Sequence, residues 1–254
     1  MSTVRTLSLT LLAAPLALAL AACGSKEDSE GPPKGEPIAP IAAPAGTSWV
    51  DNAVETPEGG FRIGNPDAPI KLVEYASHTC SHCAEFSQTG AAPLDGYVNK
   101  GVVSYEIRNL VRDPVDLTIA ILARCGPPES FHPLANQVWG NFESVMETVQ
   151  ANSAALEAAS QQPPATRFQA MAQAGGLLDF FAARGISKDQ AMVCLADTAK
   201  AQQIAERSQK QSEEFNLQGT PTFFVNGKLV EGTTWVPSGS NPGLEAALQT
   251  AGAR

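Results

Sequence analysis

The chain has 254 residues, 43% of them apolar, enough to bury a core in one large domain or two small ones. Its formal charge of -9 repels phosphate backbones, so nucleic acid is not an expected partner. Beyond the N-terminal apolar run, no stretch approaches membrane-spanning length.

Arg5, the apolar residues 7–20 and the small residues after them read as a secretion signal over residues 1–22. Leu20-Ala21-Ala22-Cys23 resembles a bacterial lipobox, in which Cys23 takes a lipid and becomes the first residue of the mature chain. The alternative is an ordinary cleavage site beside an incidental cysteine. Gly24, where an aspartate would resemble an inner-membrane retention signal, favours the outer membrane in an organism with two. Residues 23–58 are rich in Pro, Gly, Ala, Ser and charge, the composition of a flexible tether carrying a domain over residues 59–254.

Within that domain, residues 61–63 suit a short edge strand and residues 70–75 a central one. Residues 80–99 have helical spacing with a kink or break at Pro93, and residues 102–110 alternate like a strand, completing a β-α-β unit. A long span rich in Ala, Leu, Gln and Glu predicts an inserted helical subdomain at about 114–201, with breaks near Pro127-Pro128, Pro163-Pro164 and Gly175-Gly176. His132 and Trp139 lie among Phe131, Leu134, Val138 and Phe142 at core-like spacing and read as packing. A helix near residues 199–215, a hairpin turning at Asn226-Gly227, and a last helix announced by Asn241-Pro242 close the chain.

Five cysteines are an odd number for a secreted chain. Lipid on Cys23 leaves the close pair Cys80/Cys83 and the distant pair Cys125/Cys194, consistent with an oxidising compartment. Following a strand and opening a helix, Cys80 meets unpaired N-H groups and the macrodipole, which favour a thiolate; it is the expected nucleophile. Cys83, one turn later, is the expected resolving cysteine. His82 can offer Cys80 a hydrogen bond or positive charge, and a stabilised thiolate would make the protein give its disulfide away. An inert disulfide and half of a metal site are the alternatives. His78, Cys80, His82 and Cys83 lie too close in sequence for easy tetrahedral closure, and no second such pair exists, so no metal is expected. Nor is a cofactor, beyond a redox-active Cys80–Cys83 disulfide.

Residues 73–83, Val-Glu-Tyr-Ala-Ser-His-Thr-Cys-Ser-His-Cys, resemble the active-site strand and helix of the DsbA-like thioredoxin-fold family. Residues 219–227, Gly-Thr-Pro-Thr-Phe-Phe-Val-Asn-Gly, resemble its cis-proline loop and hairpin, with a helical insertion between the two motifs. The resemblance implies an α/β thioredoxin-like fold with an inserted α-helical subdomain. It implies a cis Pro221 against the cysteines and a Thr220 backbone that binds extended clients, although sequence alone favours a trans proline. Glu74 takes the place of the family's buried acid, able to exchange a proton with Cys83; the alternative is a carboxylate at a wet edge. Ser81 departs from the family's usual proline and leaves the redox poise open. Cys125–Cys194 is expected to be structural, with regulation as the alternative.

The function expected is thiol:disulfide exchange with secreted or envelope proteins, in the oxidase direction. Isomerase or reductase activity and a non-catalytic peptide- or metal-binding lipoprotein are the alternatives. Expected partners are extracytoplasmic proteins with cysteine thiols, a membrane redox partner that resets the pair, and the bilayer through Cys23. A tether without the apolar content of a dimerisation domain suits a monomer.

Overall fold

The computed structural model describes residues 35–236 and 243–254. The secretion signal, Cys23, the first part of the tether and the Asn241-Pro242 signal lie outside the described residues.

Residues 35–58, whose composition reads as tether, lie against the domain instead. From Gly35 the chain follows the domain: Gly35 N-H donates to Gln249 O, Ile38 N-H to Gly252 O and Ile41 N-H to Lys100 O. Trp49 Nε1 closes the segment on Ile41 O at 2.7 Å. Ile38, Trp49 and Val50 pack on the core, and that burial together with the satisfied backbone groups offsets the entropy of ordering.

Strand β1 (Ala53–Glu55) pairs antiparallel with β2 (Phe61–Gly64), so the strand expected at an edge is internal. Central strand β3 (Ile70–Ala76) buries Ile70, Leu72, Glu74 and Ala76 on one face and Tyr75 on the other. Helix α1 (Ser81–Asn99) leads to β4 (Val103–Asn109), parallel to β3. Pro93 interrupts no helix: buried Leu94 and Val98 keep the second half of α1 docked, and the missing N-H falls opposite the carbonyl of exposed Thr89.

The insertion consists of α2 (Pro114–Ala123), α3 (Pro128–Gly140), α4 (Phe142–Ala151), α5 (Ser153–Ser160), α6 (Pro164–Ala174), α7 (Leu177–Ala182) and α8 (Lys188–Ala196). The Pro-Pro pairs open helices, with Pro128 and Pro164 in first position, where the absent N-H has no partner to lose. Helix α9 (Thr198–Glu214) returns to the sheet, capped by Asp197. β5 (Thr222–Val225) and β6 (Lys228–Leu229) form a hairpin with positive φ at Asn226 and Gly227, as a two-residue turn requires. α10 (Gly243–Thr250) ends the chain.

Sheet order is β1-β2-β4-β3-β5-β6, antiparallel except for β3 and β4. Phe86 of α1 packs on Phe223, and Tyr97 of α1 donates to Glu245 of α10, so these helices share the face of Leu72 and Glu74. Phe215, just past α9, meets Tyr75 and Phe224 on the opposite face. The result is an α/β thioredoxin-like fold with a helical insertion, and the strand-to-helix turn after β3 points its loop toward the cis-proline region before β5.

Candidate active site

Cys80 is the N-cap residue of α1, in extended conformation, with no side-chain cap bond of its own. Its sulfur therefore faces the unpaired N-H groups of the first turn. From across the sheet the loop before β5 approaches with a cis peptide between Thr220 and Pro221. The Cys80 thiol donates to the Thr220 carbonyl at 3.2 Å. Cys80 and Cys83 are both free thiols and both buried.

Their acidities are driven apart. A hydrogen bond from the Cys83 thiol, joined by Thr220 and the N-H groups of Cys83 and His82, outweighs burial and brings Cys80 down to about 5. Burial pushes the Cys83 thiol far up, and its hydrogen bond to Cys80 and the charges of Glu74 and Cys80 add to the rise. One sulfur is thus built to be a thiolate and the other to keep its proton.

Glu74 lies under this pair, 1% exposed. Burial raises its pKa to about 8, opposed by the hydrogen bond from the Tyr105 hydroxyl to Oε2 and helped by the charge of Cys80. Oε1 is buried without a hydrogen-bond partner. A carboxyl poised near neutral beside a reluctant thiol can give or take one proton. Tyr105 is itself fully buried and held neutral by burial and by Glu74.

The structure brings Cys80, Cys83, Glu74 and Thr220 together, with Pro221 next along the loop from Thr220. His82 is different: its side chain is 70% exposed, with Nδ1 3.5 Å from Glu85 Oε2, and its backbone N-H is what serves Cys80. Cys125 and Cys194 join the end of α2 to α8 in a disulfide with Cα atoms 5.8 Å apart, in another part of the domain. Cys23 lies outside the described residues. Among the described residues, no group of three or more His, Cys, Asp or Glu is arranged to hold a metal.

Sequence reasoning missed Tyr105, Asp113 and Asp116, and read Trp139 as packing alone. Trp139 stacks on buried His78 and donates Nε1-H to Ser77 O at 3.0 Å, so it also supports the loop before Cys80. His132 is packing as expected, buried and neutral, its pKa lowered by burial to about 4, with Nε2 2.8 Å from Phe61 O. The alternation of β4 could have exposed Tyr105 as facing Glu74. Asp113 could have been found as the N-cap before Pro114, but its partner across the fold could not.

A family model described as thioredoxin matches residues 56–236. The crystal structure of a protein-disulfide isomerase from Novosphingobium aromaticivorans is 33% identical, with a TM-score of 0.64 over 68% of this chain and 89% of that one. Wolbachia pipientis alpha-DsbA1 shares the fold at 20% identity and a TM-score of 0.56, covering 77% of this chain and 90% of that one. Two curated relatives carry the provisional name protein-disulfide oxidoreductase. That of Rickettsia typhi is 27% identical over 66% of this chain, and that of Rickettsia bellii 26% identical over 68%. The match spans 55% and 60% of the length of those two relatives.

Proposed function

Because the chain belongs to the thioredoxin family, we propose that it is a thiol:disulfide oxidoreductase of the cell envelope, of DsbA-like form, working through Cys80 and Cys83. The observation that carries this reading is the split in acidity of two neighbouring sulfurs beside a cis-proline loop. A metal fragment or an inert disulfide has no use for such a split.

The direction proposed is oxidation of clients. A client thiolate attacks Cys80 Sγ, the Cys80–Cys83 bond breaks, and Cys83 leaves with the electron pair. A leaving group of such high proton affinity needs a proton, which Glu74 holds at neutral pH. A second client thiolate attacks the client sulfur of the mixed disulfide, and Cys80 departs as the better leaving group. The client gains a disulfide and the protein keeps two electrons, which a membrane redox partner removes. The low pKa of Cys80 stabilises the reduced form, which supports an oxidant. The half-buried Thr220 backbone, in the loop before β5, suits an extended client. Isomerase activity is the second reading, favoured by the name of the Novosphingobium relative.

The formed Cys125–Cys194 bond supports an oxidising compartment, and lipid on Cys23 would keep the protein at a membrane. No helix among the described residues is long and apolar enough to cross one. With oxidised protein and reduced, unfolded ribonuclease A, the wild type is expected to form client disulfides stoichiometrically, whereas Cys80→Ser forms none. A Cys80→Ser variant as active as wild type would reject the proposal. Equilibration against glutathione separates the two directions: a strongly reducing potential would replace oxidase by reductase.

A further inference from the structure

The three residues leading into Cys80 are held by Trp139, which stacks on His78, and by hydrogen bonds to the start of α2, while His78 Nε2 is buried without a hydrogen-bond partner. The Ser77 hydroxyl donates to Asp116 Oδ2 at 2.7 Å, and the His78 N-H to Asp116 Oδ1 at 2.8 Å. The Arg112 N-H donates to the same Oδ2 at 3.0 Å. The Thr79 hydroxyl donates to Asp113 Oδ2 at 2.8 Å, and Asp113 Oδ1 accepts the N-H of Asp116. Arg112 Nη1 closes the set on the Thr79 carbonyl at 3.2 Å. Asp116 is 1% exposed and His78 fully buried, so the bonds from Ser77 and His78 to Asp116 do not compete with water.

Both carboxylates, Asp113 and Asp116, belong to the N-cap and first turn of α2, the opening of the helical insertion. Neither belongs to β3 or α1, the elements that carry the cysteines. Ser77 passes the constraint on, because its carbonyl accepts the Cys80 N-H at 3.3 Å. The low pKa of Cys80 depends on its sulfur lying within reach of the Cys83 thiol and of the N-H groups of Cys83 and His82. A loop free to swing would lose these contacts for part of the time.

We propose that Asp116 is a positioning residue for the nucleophile: through Ser77 and His78 it lets the helical insertion set the geometry, and so the reactivity, of Cys80. This deepens the exchange reading and rests on Cys80 being its nucleophile. Glu74 and Cys83 remain the charged and proton-bearing groups that face the sulfur. Asp116 acts on it only through the loop.

Asp116→Asn keeps the size of the side chain but cannot accept from all three donors, since its amide nitrogen has protons of its own. In reduced protein, titrating the Cys80 thiolate by ultraviolet absorbance is expected to give a midpoint raised by about one pH unit, roughly tenfold less thiolate below the midpoint. Removing a nearby negative charge would by itself lower the midpoint, so the sign separates positioning from charge. Ser77→Ala, which removes one donor instead of the acceptor, is expected to move it the same way by less. The Cys125→Ala/Cys194→Ala double variant serves as the control that loses stability without moving the midpoint.

An unchanged or lowered midpoint in folded Asp116→Asn would overturn the proposal. If that variant does not fold, an unchanged midpoint in Ser77→Ala would do so. A wild-type midpoint at that of a free thiol would overturn both this inference and the exchange reading beneath it.

Discussion

The two cysteine pairs of this domain use the same atom for opposite ends. Cys80 and Cys83 lie within one turn at the start of α1, both unlinked, with acidities forced in opposite directions. Cys125 and Cys194 are 69 residues apart in sequence and tie the end of α2 to α8. Among the described residues the cis peptide lies beside the first pair, and Cys194 sits inside α8 rather than at a helix start. On the proposed reading, reactivity follows surroundings: a buried acid and a helix start make an exchanging pair, and long loop closure makes a brace.

That contrast can be broken most severely at the nucleophile. Cys83→Ala is expected to abolish oxidation of client thiols, because Cys80 alone holds no disulfide to hand over; offered a disulfide-bonded client, its Cys80 is expected to be trapped as a mixed disulfide, visible on non-reducing gels, because no Cys83 thiol releases it. Replacing Glu74 comes next. Glu74→Gln is expected to slow exchange at neutral pH on the order of a hundredfold, since Cys83 then leaves without its proton. Stopped-flow reduction of the oxidised protein would check it.

Glu74 also has a signature in stability. Its pKa lies near 8 in the fold against an ordinary 4.5, so between those values the folded state keeps a proton that the unfolded chain has lost. Its contribution therefore falls as pH rises from about 4.5 to about 8. Reduced Cys80 works the other way: about 5 in the fold against an ordinary 9.0, it adds stability as pH rises through that window. The Tm of Glu74→Gln relative to wild type is expected to rise from pH 4.5 to 8, and the Tm of reduced relative to oxidised protein from pH 5 to 9.

The brace should respond in the opposite pattern. Removing both Cys125 and Cys194 is expected to cost about 4 kcal/mol of stability as an upper figure, measured by chemical denaturation, while exchange by Cys80 continues. The smallest effect belongs to His82. With its ring turned toward Glu85 and its N-H retained, His82→Ala is expected to move the Cys80 midpoint by less than about one pH unit.

Much of the centre of the fold was legible in sequence because β-rich alternation and a helix start are local signals. The central strand was expected at residues 70–75 and found as Ile70–Ala76, and the hairpin turn was marked by Asn226-Gly227. Short or distant partners were not legible. β1 has only three residues inside a stretch whose composition reads as tether, and its pairing depends on β2 rather than on itself. For the same reason residues 61–63 read as an edge. Cys80, Cys83, Glu74, Thr220 and Pro221 could be singled out from two motifs. Asp116 could not, because what it does is defined by Ser77 and His78, which are 39 and 38 residues away. The side-chain direction of His82 was likewise invisible, since position in a motif does not say which way an exposed ring turns.

The most direct measurement is alkylation of the reduced protein by iodoacetamide across pH, with the modified residue identified by mass spectrometry. Cys80 alone is expected to react, with a midpoint near 5, while Cys83 stays protected. Equal modification of both cysteines with a common midpoint near 9 would contradict the asymmetry on which exchange is argued.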